Sequence, residues 1–359
     1  MNLALVHDYL NQRGGAERVF AHIARAYPQA PVYTALYDPR ETGDLVPPQR
    51  VHTSFLANIP GANRYFRYLA PLYPRAFESF DLSAYDTIVS STTSWAKGVI
   101  AAPGAVHVCY INTVSRFLFA YDSYVGGFGA GRFAKPIVAR LIDWDKRAAM
   151  RPTQFVANSR NVAARVKQYY GREALVLPPP VDLERFSPGT GGGEHFFIAS
   201  RLLPYKCIDL AIRAADIARV PLLIAGSGPE EESLRRLASG TTTTMLGRVS
   251  DERVNELLGT ARAAILPGEE DYGLVPLEAA ACGRPAIAFR AGGALETIVE
   301  HETGEFFDEP SAESLASQLR QFDERRYDST RLREHAQQFS PERFIERLRA
   351  IVEQTRAAR

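Results

Sequence analysis

Two glutamates eight residues apart, Glu270 and Glu278, lie in the densest run of chemistry-capable residues in the chain, residues 267–285, PGEEDYGLVPLEAAACGRP. The run reads as a loop that follows a strand and enters a helix, with one carboxylate on the loop and the other a turn inside the helix. Carboxylates accept paired hydrogen bonds from vicinal hydroxyls, so two at this separation suit a polyhydroxylated ligand. Gly273 permits close backbone approach. The first amides of the helix favour a phosphate or an electronegative hydroxyl, because they are unsatisfied and sit at the positive end of the dipole. The alternative is an acidic first turn that only complements that dipole.

A second cluster, SRLLPYK at residues 200–206, directly follows the first strand of the second half and brings Arg201 and Lys206 to one loop. Two cations at the C-terminal edge of a sheet can neutralise a departing diphosphate; a solvated Arg and Lys is the alternative. In the first half, HDYLNQRGGAER at residues 7–18 follows a strand and opens a helix. It is neither a dinucleotide fingerprint nor a P-loop, yet Gly14 and Gly15 suit close approach of backbone amides to a phosphate as well as a plain turn. Asp143-Trp144-Asp145 matches the short DxD pattern of metal-dependent sugar transferases but falls within helical periodicity at 138–150. Carboxylates two apart on a helix do not face one ligand, so no metal is expected there. No His/Cys set has zinc-ligand spacing, and no Gly-x-Ser-x-Gly elbow occurs.

The elements that must carry these residues follow from an alternation of short apolar runs, rich in β-branched residues, with longer helical stretches, the mark of parallel sheets wrapped by helices. Strands are expected over 3–7, 32–36, 87–91, 106–111, 154–157 and 175–177, and again over 195–199, 222–225, 243–246, 263–266 and 286–289. The proline-rich stretch 177–188 and the glycines that follow can continue neither a helix nor a central strand and read as a linker. The expected fold is therefore α/β, two doubly wound parallel-sheet domains facing a cleft. They cover residues 1–176 and 189–339, with a C-terminal helix at 340–359 returning to the first domain. A length of 359 residues with 46% apolar and 23% charged content suits two soluble cores. Three scattered cysteines fit neither a disulfide framework nor a zinc ribbon and point to the cytoplasm. No membrane-spanning run and no basic leader is expected.

Charge divides unevenly. Residues 1–176 carry 20 Lys and Arg against 12 Asp and Glu, and residues 177–359 carry 22 against 29. A basic half suits anionic lipid, a diphosphate-bearing acceptor or nucleic acid. Within it, NRYFRYLAPLYPRAF at 63–77 interleaves arginines with aromatics. That pattern suits an anionic membrane surface, or else a cap packed over the first domain.

Glu270 and Glu278 in their run, preceded by SRLLPYK and by IAGSGPEE at 224–231, resemble the retaining nucleotide-sugar glycosyltransferases of family 4, whose GT-B fold has two Rossmann-like domains. The first half is similar to a bacterial subgroup of mannosyltransferases that build O-antigen and exopolysaccharide, through VHDYLNQRGGAERV at 6–19, YTALYDP at 33–39, TSFL at 53–56, the Tyr85-Asp86 and Ser90-Ser91 pairs, and Ala96-Lys97-Gly98. That subgroup carries His-Thr-Pro-x-Arg-Tyr where this chain reads Asn112-Thr-Val-Ser-Arg116-Phe117. The resemblance implies that Arg201 and Lys206 hold the donor diphosphate as it leaves, and that Glu278 binds the ribose. Glu270, with the Gly273, Leu274 and Val275 amides, would bind sugar hydroxyls. Arg248 and Val249 would contact the base, Gly14 and Gly15 would close over the donor, and Asn112 and Arg116 would meet sugar or acceptor. It further implies a retaining, metal-independent hexosyltransferase without a cofactor. The donor would be a GDP- or UDP-sugar, GDP-mannose first, and the acceptor a glycan or polyprenyl-diphosphate-linked glycan, with no nucleic acid partner. Its place would be the cytoplasm, peripheral to the inner face of the plasma membrane. The alternatives are a sugar-nucleotide 2-epimerase of the same fold and a catalytically weak nucleotide-sugar-binding protein.

Overall fold

A computed structural model of the chain describes residues 1–119 and 135–358. It divides into two compact units, Met1–Pro179 with Glu342–Arg359, and Pro180–Pro341. Among the described residues no helix is long and apolar enough to cross a membrane.

The first unit holds a seven-stranded, wholly parallel sheet of β1 (Leu3–His7), β2 (Val32–Thr34), β3 (Val51–Thr53), β4 (Thr87–Thr92), β5 (Val106–Ile111), β6 (Gln154–Ala157) and β7 (Ala174–Val176), in the order β3-β2-β1-β4-β5-β6-β7. Every residue of β1, β4 and β5 is buried, which is why these strands read as continuous runs rather than alternating ones. The helix Arg160–Tyr170 begins where Ser159 Oγ accepts from the Val162 amide, and it ends on Gly171 in the left-handed region. The helix Pro341–Ala357 belongs to this unit. Its Phe344, Leu348 and Val352 are buried with Leu5, Phe20 and Tyr110, and Phe344 meets the Tyr110 ring edge-on at 5.6 Å.

The second unit holds β8 (Phe196–Ala199), β9 (Leu222–Ala225), β10 (Thr243–Gly247), β11 (Ala264–Leu266), β12 (Ala286–Phe289) and β13 (Gly304–Phe307), all parallel, in the order β10-β9-β8-β11-β12-β13. Successive residues of each strand feed opposite faces. Phe197, Ala264 and Ala288 enter one apolar core, whereas Phe196, Ile265 and Ile287 enter the other. The stretch 177–188 is largely absorbed into the two units: Leu177 is buried in the first unit's core, and Val181 and Phe186 are buried in the second's. The chain passes from one unit to the other between Pro179 and Pro180.

The elements outside the expected set include β3, β13 and the helices Arg160–Tyr170, Ala312–Gln321 and Ser329–Gln337. The reason for β13 is visible in Glu305. This carboxylate, buried within the strand, accepts from the Tyr327 hydroxyl at 2.6 Å, so a charged residue sits where an apolar one is ordinarily read. In β3, His52 and Thr53 are exposed, and a three-residue edge strand carries too little pattern to register.

Candidate active site

The order of the second sheet reverses between β8 and β11, which opens a crevice at the C-terminal ends of these strands. The loops that leave them carry the two main charged residues. Lys206, at the end of a short 3-10 turn (Pro204–Lys206) after β8, donates from Nζ to Glu270 Oε1 on the loop after β11. Both side chains are largely buried, at 18% and 14% exposed, so the charge-assisted bond compensates their removal from water. The lysine ammonium also lies 5.2 Å over the Tyr205 ring.

Close backbone contacts hold this loop pair. A Cβ built at Gly268 would lie 2.3 Å from the Tyr205 carbonyl oxygen, so only glycine lets the two loops touch there. Gly273 turns the chain into the helix Val275–Ala281 at φ +80, a conformation that L side chains rarely adopt. The Gly293 amide donates to the Glu270 carbonyl at 2.9 Å and fixes the loop from the β12 side. Arg201 stands exposed on the same loop as Lys206. Cys207, next to Lys206, has its thiol pKa raised by burial and then by the charges of Asp209 and Glu270, which makes it a poor nucleophile at neutral pH.

Glu278 lies in the helix Val275–Ala281, and its Oε1 is 3.9 Å from Nη1 of Arg185. Arg248 and Val249 follow β10, and Ser250 Oγ then caps the helix Asp251–Thr260 by accepting from the Arg253 amide. Asp251, at the start of that helix, accepts from Arg185 Nη2 at 2.9 Å. Arg185 was not among the residues expected from sequence. Its only signal there was a single basic residue in a proline-bounded stretch.

In the first unit the corresponding reversal lies between β1 and β4. Gly14 caps the helix Gly15–Ala26, and its amide donates to Glu17 Oε2 at 2.9 Å. Asp8 ties the two loops of this crevice. Its carboxylate accepts from the amides of Thr93, Ser94, Trp95 and Ala96 and from the hydroxyls of Thr92 and Thr93. Asn112, after β5, is buried, and its Nδ2 donates to Ser91 Oγ at 3.1 Å and to the Thr92 carbonyl at 3.3 Å. Arg116 begins the turn Arg116–Phe119, and its side chain lies outside the described residues.

The DxD pair separates: Asp143 is exposed, whereas Asp145 is fully buried and ion-paired at 2.5 Å with Lys97. Asp145 also accepts from Ser115 Oγ and from Tyr170 Oη, each at 2.7 Å. That carboxylate is committed to the protein interior.

Two family models match the chain side by side: "Glycosyltransferase Family 4" over residues 13–185 and "Glycosyl transferases group 1" over residues 182–339. A D-inositol 3-phosphate glycosyltransferase from Geodermatophilus obscurus is 31% identical over 244 residues, 58% of this chain and 54% of that protein. A GDP-mannose-dependent alpha-(1-6)-phosphatidylinositol monomannoside mannosyltransferase from Mycolicibacterium smegmatis is 32% identical over 190 residues, 44% of this chain and 50% of that protein. The chain thus spans about half the length of the curated relatives it matches. Among solved structures, Anabaena HepE in complex with UDP superimposes with a TM-score of 0.72 at 19% identity, covering 99% of this chain and 100% of that one. Sucrose-phosphate synthase from Thermosynechococcus elongatus gives 0.73 at 19% identity, with 99% of each chain covered. These likenesses agree with the two doubly wound units. With the paired family models adjoining across both of them, the chain belongs to glycosyltransferase family 4, of GT-B fold.

Proposed function

We propose that this chain transfers a hexose, with retention at the anomeric carbon, from a nucleotide-sugar donor to a glycan or polyprenyl-diphosphate-linked acceptor in cell-surface polysaccharide synthesis. The observation that carries this reading is the meeting of Lys206 with Glu270 at the reversal point of the second sheet. A cation for a leaving phosphate and a carboxylate for sugar hydroxyls stand side by side there, with Glu278 on the helix that follows. GDP-mannose is the first donor to test, supported by the subgroup resemblance and by the name of the Mycolicibacterium relative.

In the proposed reaction the bond between the anomeric carbon and the β-phosphate oxygen breaks, and the acceptor hydroxyl oxygen bonds to that carbon on the same face. The acceptor proton passes to the departing phosphate oxygen. No side chain is assigned as nucleophile. Negative charge grows on the diphosphate as the sugar becomes oxocarbenium-like, so the largest service of the protein is to stabilise that charge. Arg201 and Lys206 supply two positive charges for it, which makes a divalent ion unnecessary in this scheme. Glu270 exchanges part of its bond with Lys206 for sugar hydroxyls when the donor enters. Peripheral membrane association belongs to the same reading, supported by exposed Tyr65, Tyr68 and Leu72 set among Arg64, Arg67 and Arg75.

The test is incubation of the purified chain with GDP-mannose, UDP-glucose and related donors, with and without chelator. Slow hydrolysis of one donor, unaffected by chelator, is expected, together with a raised melting temperature in the same nucleotide. Interconversion of donor sugars would support an epimerase instead, and tight binding without turnover a binding protein. Activity lost to chelator and restored by manganese would overturn the metal-free scheme.

A further inference from the structure

We infer that Arg185 is a positioning residue for Glu278 and thereby sets how strongly the site reads the ribose of a nucleoside diphosphate; this rests on the glycosyl-transfer reading above. Arg185 lies on the stretch that enters the second unit, and its backbone is pinned on both sides. Its amide donates to Asp182 Oδ1 at 3.3 Å. Two residues on, the Ser187 amide donates to Asn255 Oδ1 at 3.1 Å, and Asn255 Nδ2 returns a bond to Ser187 Oγ at 2.9 Å. Between them Phe186 is buried in the core. The guanidinium therefore starts from a fixed stem.

Its head is equally constrained. The Arg185 side chain is 17% exposed, lies 4.6 Å over the Phe186 ring, and gives Nη2 to Asp251 at 2.9 Å. Nη1 then faces Glu278 Oε1 at 3.9 Å. Nε is buried without a hydrogen-bond partner, so the orientation is held against a polar cost by the two carboxylates and the ring. Asp251 opens the helix that follows Arg248 and Val249, and Glu278 lies in the helix that follows Gly273. A single planar fork thus bridges the loop assigned to the base and the helix assigned to the ribose. Cys282, one turn after Glu278, also reaches Asn255 Oδ1, at 3.3 Å, which fastens the same two helices a second time. A guanidinium spans two carboxylates in a fixed geometry, whereas an ammonium is a point charge.

The consequence is specific to the sugar of the nucleotide. A Glu278 carboxylate held in one orientation accepts from vicinal ribose hydroxyls at little ordering cost, and a released one does not. Calorimetric binding of GDP and UDP, each beside its 2′,3′-dideoxy form, reads this directly in the parent chain, Arg185→Met and Arg185→Lys. Arg185→Met keeps the stem over Phe186 and removes the charge. It is expected to weaken the preferred ribonucleotide about tenfold while moving the dideoxy form less than about twofold, with Arg185→Lys between parent and Met. In turnover the same variant raises donor KM and leaves kcat within about twofold. Equal weakening of both nucleotide forms by Arg185→Met, or an unchanged ribo-to-dideoxy ratio, overturns the inference and leaves the transfer reading standing. A parent chain that binds neither GDP nor UDP overturns the transfer reading, and the inference with it.

Discussion

Lys206 and Glu270 show what single residues reveal in a sequence and what they conceal. The type and loop position of each were legible, but their contact joins positions 64 apart in the chain, and no local spacing encodes it. Burial decides the rest. Asp145 looks like half of a metal motif and is instead the counter-ion of buried Lys97, whereas Arg185 looks like a linker residue and lies 3.9 Å from Glu278. Burial also pushes the His107 imidazole down to about 3 from 6.5, and it lowers His7 as well. The unfolded chain takes up a proton at these residues near pH 6.5, but folded His107 does so only near pH 3. Across that window the unfolded state binds more protons, so stability is full above the window and falls as pH drops through it. The slope is up to about 1.4 kcal/mol per pH unit for each such group. The melting temperature is expected to be flat between about pH 8 and 7 and to decline in acid, with a shallower acid decline in His107→Gln. A variant slope equal to that of the parent would contradict the assignment.

Elements divide by how much of their role is local. The alternation of short apolar runs with helical stretches made β1, β5, β8 and β12 readable, because strands buried on both faces need little more than continuous hydrophobicity. Glu305 hid β13, since its partner Tyr327 lies in another part of the sequence. The stretch 63–77 left two readings open, and in the structure some of its residues are buried and others face outward. Phe66, Tyr73 and Phe77 are buried in the first unit, and Tyr65, Tyr68, Arg64, Arg67 and Arg75 face outward over the turns Ala62–Tyr65, Phe66–Leu72 and Tyr73–Glu78. Residues 45–77 contain no Asp or Glu, so nothing within this stretch offsets the outward arginines. Flotation with vesicles should therefore recover the chain on anionic lipid and not on neutral lipid. Arg64→Glu with Arg67→Glu should abolish recovery, each arginine contributing about 1 kcal/mol near the surface. Recovery that ignores lipid charge would remove the membrane reading.

The whole molecule repeats one plan twice, a doubly wound parallel sheet with its reversal between the first and fourth strands of each unit, and this plan was legible because it is written in periodicity. The return of the helix Pro341–Ala357 to the first unit is a matter of tertiary packing, settled by which core accepts Phe344, Leu348 and Val352. Charge at this scale works against the proposed donor. Residues 177–359 carry seven more acidic than basic side chains, 29 against 22, yet this half would bind a diphosphate. Screening over about 8–10 Å blunts the distant acids, so cations within contact range decide the outcome, and Arg201 and Lys206 are the cations on the loop after β8. The most direct measurement is therefore donor turnover by Lys206→Ala and Glu270→Gln, with Asp143→Ala as control and melting curves confirming folded protein. Losses in kcat/KM of at least about 100-fold for the first two and none for the control are expected. Folded Lys206→Ala or Glu270→Gln turning over donor at the parent rate would contradict the account.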